Sequence, residues 1–217
     1  MFVLFDECWL PDPKLGPQPD PIPGVHNSQW VRCPGQSRVL DTITWPLLKQ
    51  YTIDVLSRFS NDSRVVIWDL YNEPQCSHQL FIILPLLHEI YSAALVANPQ
   101  QPLTFGIASN SLISPLARFE LESSDIISFH NYEPLANTMR LVNDLRQFNR
   151  PLICTEYMAR TLGSLVAGKT QTYFPWGSPV NASTPLVWFH DIFNNTGQSY
   201  SPYEIEFFKD LKTKSSL

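Results

Sequence analysis

The chain has 217 residues, enough for one domain with a sizeable core, and its balance of apolar and charged residues excludes a disordered chain, a coiled coil or collagen. A net charge of -5, with the acidic residues scattered, leaves no basic footprint for nucleic acid and points to an uncharged substrate. The absence of a run of 18 apolar residues argues against a membrane span, and MFVLFD lacks the basic start and cleavage site of a secretory signal.

The repeating order is short apolar run, polar loop, helical stretch and another apolar run, which is the sequence form of consecutive βα units. Phe2 to Asp6 is predicted as a first strand, followed by a Pro/Gly-rich loop through Gly35. Apolar positions Ile43, Leu47, Leu48, Tyr51, Val55, Leu56 and Phe59 then recur at helical spacing and predict a helix over 41–59. Val65 to Leu70 is the next expected strand, and Gln79 to Ala97 the next helix. A third strand is expected at Leu103 to Ile107, with a short helix near Pro115 to Leu121. Asp125 to His130 reads as a fourth strand. A helix from Leu135 to Phe148 leads into a fifth at Pro151 to Thr155. Runs that are apolar on both faces suit a parallel sheet covered on both sides. The expected class is therefore α/β, a single domain over residues 1–217 of (β/α)8 TIM-barrel type. Five strands fall short of the eight such a barrel needs. The dozen residues between Glu156 and Gly168 are too few for a crossover helix and another strand.

Cys8, Cys33, Cys76 and Cys154 show no CxxC spacing and no paired histidines, which argues against a zinc site, and Cys154 inside a strand reads as a small core residue. The chemistry lies instead in two glutamates. Glu73 ends the run VVIWDLYNEP and Glu156 ends RPLICTEY, so each leaves a strand at its carboxyl end, where a parallel barrel builds its active site. A lone glutamate there is ordinarily a solvated loop residue. Two at equivalent strand ends form the carboxylate pair used in glycoside hydrolysis, in which one acts as general acid and the other as nucleophile. Trp9 and Trp176 are candidate platforms for the apolar face of a sugar, Trp68 belongs to the core, and Asp6, His26 and Lys169 are candidate hydroxyl contacts. No G-x-S-x-G elbow supports a serine hydrolase.

WDLYNEP, SFHNYEP, PLICTEYMAR and GKTQTYFPW together resemble clan A retaining glycoside hydrolases, the cellulase-like barrels related to family 5, and within them a group often labelled 1,4-beta-xylanase. The resemblance extends to FVLFDECW, PGVHNS and WFHDIF. It implies that Glu73 is the acid/base ending the family's fourth strand and that Glu156 is the nucleophile ending its seventh. Asn72 then meets the sugar 2-hydroxyl, while His130 and Tyr132 orient the nucleophile and the sugar. It implies a carbohydrate substrate and neither cofactor nor metal.

The chain also departs from the family. The two βα units that precede FVLFD in that group have no counterpart, so the family's strands 1 and 2 are expected to be missing. The Asn-Trp-Gly strand 8 is expected to be missing too, because ART runs almost directly into GSLVAGKTQT. Gly177 stands where the family has an acidic residue. The alternative to an active glycosidase is a truncated, inactive remnant that binds carbohydrate weakly.

Overall fold

Strands that are apolar on both faces call for cover on both sides of the sheet, and the computed structural model buries every residue of Leu103–Ile107 and Ile127–Asn131. It describes residues 1–77, 79–108, 112–157, 164–166, 168–186, 188–203, 205–206 and 209–210. Five strands, β1 (Phe2–Val3), β2 (Trp68–Asn72), β3 (Leu103–Ile107), β4 (Ile127–Asn131) and β5 (Leu152–Tyr157), form one sheet in chain order. The first three pairings are parallel, with Phe2 opposite Trp68, Asp69 opposite Thr104 and Gly106 opposite Ser128. The helices are α1 (Gln36–Leu40), α2 (Trp45–Arg58), α3 (Leu80–Ala97), α4 (Pro115–Ser123) and α5 (Leu135–Leu145). The chain divides into two compact units, Met1–Pro17 with Trp30–Glu156 and Gln18–Gln29 with Tyr157–Leu217.

The first unit matches the expected α/β order, with shifts at the element ends. Regular pairing of the first strand stops at Val3, although the chain stays beside β2: Asn72 N–H donates to the Phe5 carbonyl and Asp6 bridges Asn72. The second strand begins at Trp68 because Asp62 closes a turn just before it, accepting from the N–H groups of Arg64 and Val65. Asp125 precedes β4 and turns its carboxylate onto the Leu103 N–H at 2.9 Å, so it caps a neighbouring strand start instead of joining its own strand.

Helix α2 buries Leu48, Thr52 and Leu56, one turn apart, and the Thr52 hydroxyl satisfies itself on the Leu48 carbonyl. Ile43 and Leu47, from the same predicted stripe, are exposed. Helix α3 is 18 residues long with a mean hydropathy of 1.9, so by length and composition it could cross a membrane, contrary to the sequence expectation. In this fold it is a core helix that seats Ile83, Leu86, Leu87, Ile90 and Ala94 against the sheet. Pro85 sits inside it and has no N–H to give the carbonyl of Phe81, a residue on the exposed side of the helix. Asn98 ends it in the left-handed conformation, its N–H on the Ala94 carbonyl.

In the second unit, β6 (Ser164–Val166) pairs in parallel with β7 (Asp191–Phe193) as a separate two-stranded sheet. The sequence did not predict β6. The rest of the ART–GSLVA junction, residues 158–163 and 167, lies outside the described residues. Gln171 pins the 18–29 loop within this unit, donating to the Ile22 and Val25 carbonyls and accepting from the Gly24 N–H.

Phe105 on β3 is fully buried, with Tyr91 and Phe119 rings at 6.3 and 5.6 Å. Phe105→Ala is expected to cost about 3–5 kcal/mol, read as a lowered midpoint in urea unfolding with the slope unchanged.

Candidate functional site

Asp69 organises the carboxyl end of β2. Between Asp69 and Asn72 the register against β3 slips, so that three residue steps of β2 face two of β3, from Thr104 to Gly106. Such a bulge leaves backbone donors without ladder partners and re-aims the strand end. Asp69 supplies the missing acceptor: its Oδ1 takes the N–H of Tyr71 and the N–H of Gly106, each at 3.1 Å. Gly106 is required by the same close approach. A Cβ there would lie 2.6 Å from Asn72 Oδ1 and 2.9 Å from Asp69 Oδ2.

Beyond the bulge, Glu73 adopts a left-handed conformation (φ 46°, ψ 52°), a setting that costs a residue with a side chain roughly 1–3 kcal/mol. The following proline disfavours the right-handed helical alternative, and Glu73 N–H is tied to the Gly106 carbonyl at 2.8 Å. A short 3-10 turn, Pro74–Cys76, follows. Gln75 anchors this turn to α4 by donating to Glu120 Oε2 at 2.5 Å. The Glu73 carboxylate is thereby aimed by backbone, proline and anchor together.

His130, at the end of β4, is the meeting point. Its Nδ1 lies 2.5 Å from Glu73 Oε1 and 3.6 Å from Glu156 Oε2, and its side chain is 1 % exposed. The Tyr132 hydroxyl donates to the same Glu156 oxygen. One ligand atom from each of Glu73, His130 and Glu156 falls within 4.8 Å of the others. Behind them, Thr155 and Ser128 share a hydroxyl hydrogen bond of 2.7 Å and Ser128 N–H reaches Thr104 Oγ1, so β3, β4 and β5 are also stitched by side chains below the site.

Burial and neighbouring charge set the protonation of these groups. Burial raises the Glu156 pKa; the nearby His130 offsets part of the rise and the Glu73 charge adds to it. Burial opposes charging His130, but the Glu73 hydrogen bond and the Glu156, Glu73 and Asp69 charges outweigh it, so the ring titrates above its usual range. Burial and the adjacent Glu156 charge hold the Tyr132 hydroxyl protonated. Asp69, fully buried, is pushed up to about 7 by desolvation, against the opposing pull of His130 and its two backbone donors. Glu120 is raised well above the carboxylate range by burial and then by Asp69.

Of the candidates read from the sequence, Glu73, His130, Tyr132 and Glu156 converge. Asn72 lies beside them, its Nδ2 3.5 Å from Asp6 Oδ2. Asp6 is held in place by Cys8 N–H at 2.7 Å and Trp30 Nε1 at 3.3 Å. Trp9 is exposed on the loop after β1, directly following Cys8. Trp68 is in the core at 1 % exposure. Trp176 belongs to the second unit, in an aromatic group with Phe189 and His190. His26 is buried in that unit with Nδ1 2.7 Å from the Phe174 carbonyl, a structural contact, and Lys169 pairs at the surface with Asp20.

Sequence reasoning missed a disulfide. Cys8 and Cys76 are joined, with Sγ atoms 2.08 Å apart, and the two sulfurs flank Glu73 Oε2 at 2.8 and 3.4 Å. The signal was the strand register: with Phe2 opposite Trp68 and Asp6 opposite Asn72, the loop after β1 must meet the turn after β2.

No protein-family profile and no curated protein sequence matches the chain. Similar folds occur among solved structures. A β-D-glucuronidase from Dictyoglomus thermophilum superposes with a TM-score of 0.51 at 12 % identity, over 74 % of this chain and 34 % of its own. A β-glucuronidase from Faecalibacterium prausnitzii gives 0.42 at 24 %, covering 54 % and 21 %. A GH2 β-galacturonidase from Eisenbergiella tayi gives 0.43 at 14 %, covering 57 % and 23 %. The chain thus spans about a third or less of the length of these proteins. The Dictyoglomus likeness is one of fold.

Two outcomes are expected from this geometry. Because the Asp69 pKa is raised on folding, its contribution to stability is full below about 4 and is lost as pH rises through about 7. Asp69→Asn keeps the Oδ1 acceptor, so thermal melts across that range should show a shallower pH dependence than wild type. Titration of His130 by proton NMR should show a raised pKa that falls in Glu73→Gln, which loses the charge facing Nδ1.

Proposed function

We propose that this chain is a retaining O-glycoside hydrolase of the cellulase-like kind, a single partial barrel domain that cleaves β-linked polysaccharide or oligosaccharide by double displacement. The observation that carries the reading is the convergence of Glu73 and Glu156 on one histidine, their nearest ligand oxygens within 4.8 Å. Retention calls for carboxyl groups about 5 Å apart, whereas inversion needs about 6.5–9.5 Å to admit a water. The fold shared with the Dictyoglomus β-D-glucuronidase agrees with a sugar substrate.

In this reading Glu156 attacks the anomeric carbon to form a glycosyl-enzyme, while Glu73 gives a proton to the departing oxygen and then takes one from the incoming water. Tyr132 positions the nucleophile through its hydroxyl, and His130, between the carboxylates, steadies both. Asn72 is left to meet the 2-hydroxyl, with Trp9, on the loop after β1, as a stacking platform.

The test is turnover of a panel of chromogenic aryl β-glycosides, including a glucoside, a xyloside and a glucuronide. Glu156→Ala should abolish release of the chromophore, with azide restoring turnover as a replacement nucleophile. Equal turnover by wild type and variant would remove Glu156 from that role. Since Glu156 must be ionised to attack and burial raises its pKa, the rate of wild type should fall on the acid side at a pH above the ordinary carboxylate range.

A second reading, a non-catalytic relative that binds carbohydrate weakly, is favoured by the sheet of the described residues, in which β1 and β5 are edges. No turnover together with a non-cooperative melt would select it.

A further inference from the structure

Glu73 has two differently furnished oxygens. Oε1 is occupied by His130, whereas among the described residues Oε2 faces two sulfurs that donate it no hydrogen bond, because a disulfide sulfur carries no proton. The ligand atoms of Cys8, Glu73 and Cys76 all lie within 4.8 Å of one another. Cys8 is buried and Cys76 half-buried, so the group opens toward solvent on the Cys76 side. Spacing along the sequence could not reveal this set, since 68 residues separate the cysteines.

We propose that these three side chains, once the disulfide is reduced, form a binding site for a thiophilic divalent cation of the zinc type, so that the disulfide and the metal complex are alternative states of one site. A small thiol of the glutathione class supplies the electrons. Its thiolate attacks Cys76 Sγ, the more accessible sulfur, and a second molecule resolves the mixed disulfide. Two small thiols leave as their own disulfide, with Cys8 and Cys76 as free thiols. Cation binding then releases the two thiol protons.

The geometry suits that cation. Zinc–sulfur bonds of about 2.3 Å and zinc–oxygen bonds of about 2.0–2.2 Å in a tetrahedron hold sulfur and oxygen about 3.5 Å apart and the two sulfurs about 3.8 Å apart. The Cys76 sulfur already lies 3.4 Å from Glu73 Oε2, while the Cys8 sulfur, at 2.8 Å, has to withdraw to reach that spacing. Loss of the S–S bond lets the sulfurs separate to van der Waals distance, which is close to what the metal requires. The donors are also held before any ion arrives: Gln75 ties the turn bearing Cys76 to Glu120, the Gly106 carbonyl fixes the Glu73 backbone, and His130 orients the carboxylate by its other oxygen. Outer contacts of that kind stiffen a ligand and strengthen its metal bond. Two thiolates and one carboxylate favour zinc or cadmium over the hard cations, and the fourth position is left for water.

A cation on Oε2 would take Glu73 out of proton transfer. That consequence rests on the glycosidase reading, while the binding itself does not. The test titrates cadmium into the reduced protein carrying Cys33→Ser and Cys154→Ser, which removes the two free cysteines. The readout is the thiolate-to-cadmium charge-transfer band, with zinc as competitor. A band saturating at one equivalent, lost in Cys76→Ser, weakened about tenfold or more in Glu73→Gln and absent from the oxidised protein is expected. No band, a band that survives Cys76→Ser, or equal affinity in Glu73→Gln would overturn the proposal. If the serines disturb folding, the wild-type chain and Cys76→Ser are compared directly, and an unchanged cadmium stoichiometry overturns it. Binding in a chain that turns over no glycoside upholds the metal site and counts against the glycosidase reading alone.

Discussion

The site depends on one buried carboxyl group. Asp69 is enclosed in the interior, where an unpaired polar atom is costly, yet its Oδ1 gathers two backbone N–H groups that the irregularity in β2 would otherwise strand. Without that acceptor the bulge would carry two buried unsatisfied donors, and a regular ladder would become the cheaper arrangement. A regular ladder turns successive side chains to alternate faces, so removing one extra residue would shift every side chain after it to the other side of the sheet. Glu73 would then no longer meet His130 at the end of β4. The constraint is reciprocal at Gly106, where the absence of a Cβ lets Asp69 and Asn72 approach the neighbouring backbone.

The second level of organisation is the parallel sheet itself. Strands that run the same way bring all their carboxyl ends to one edge, so residues at the ends of β2, β4 and β5 become neighbours although they are far apart in sequence. His130 turns that proximity into a defined arrangement. Its ring is almost wholly covered, cannot hydrate its charge, and therefore draws its compensation from the carboxylates it faces. The left-handed Glu73 is stable for a related reason. Proline on one side and a ladder-like hydrogen bond to Gly106 on the other leave it few alternatives, and the anchor from Gln75 to Glu120 fixes the turn that follows.

What the sequence disclosed follows from these levels. Apolar runs of four to six residues and the helical spacing between them were enough for the βα order, because burial on both faces leaves a pattern in composition. The strand ends were displaced wherever a polar side chain took over a backbone hydrogen bond, as Asp62 and Asp125 do, since such caps look like ordinary loop residues in sequence. Glu73 and Glu156 stood out in the sequence because each ends an apolar strand at its carboxyl end, whereas His130 and Tyr132 were marked only by the family resemblance. The disulfide and the bulge were not legible. Both are properties of register, and register emerges only when one strand is laid beside another. The exposure of Ile43 and Leu47 has a similar origin: periodicity runs one stripe through both, but Ile43 lies in the 3-10 turn before α2 and only packing decides which part of the stripe is covered.

The electrostatics of the cluster point in one direction. Asp6, Asp69 and Glu156 are each raised primarily by desolvation, and Glu120 behind them is raised further by Asp69. His130 is the cation that faces both Glu73 and Glu156. Several buried carboxyls around one imidazole cannot all be ionised at acceptable cost, so the group as a whole retains protons that isolated carboxylates would have released. The exposed side of the cluster is formed by Glu156 and Glu73, at 36 % and 16 % side-chain exposure, while Asp69 and His130 lie beneath, so the charge balance is held in the interior and the two carboxylates at the rim stay open to solvent.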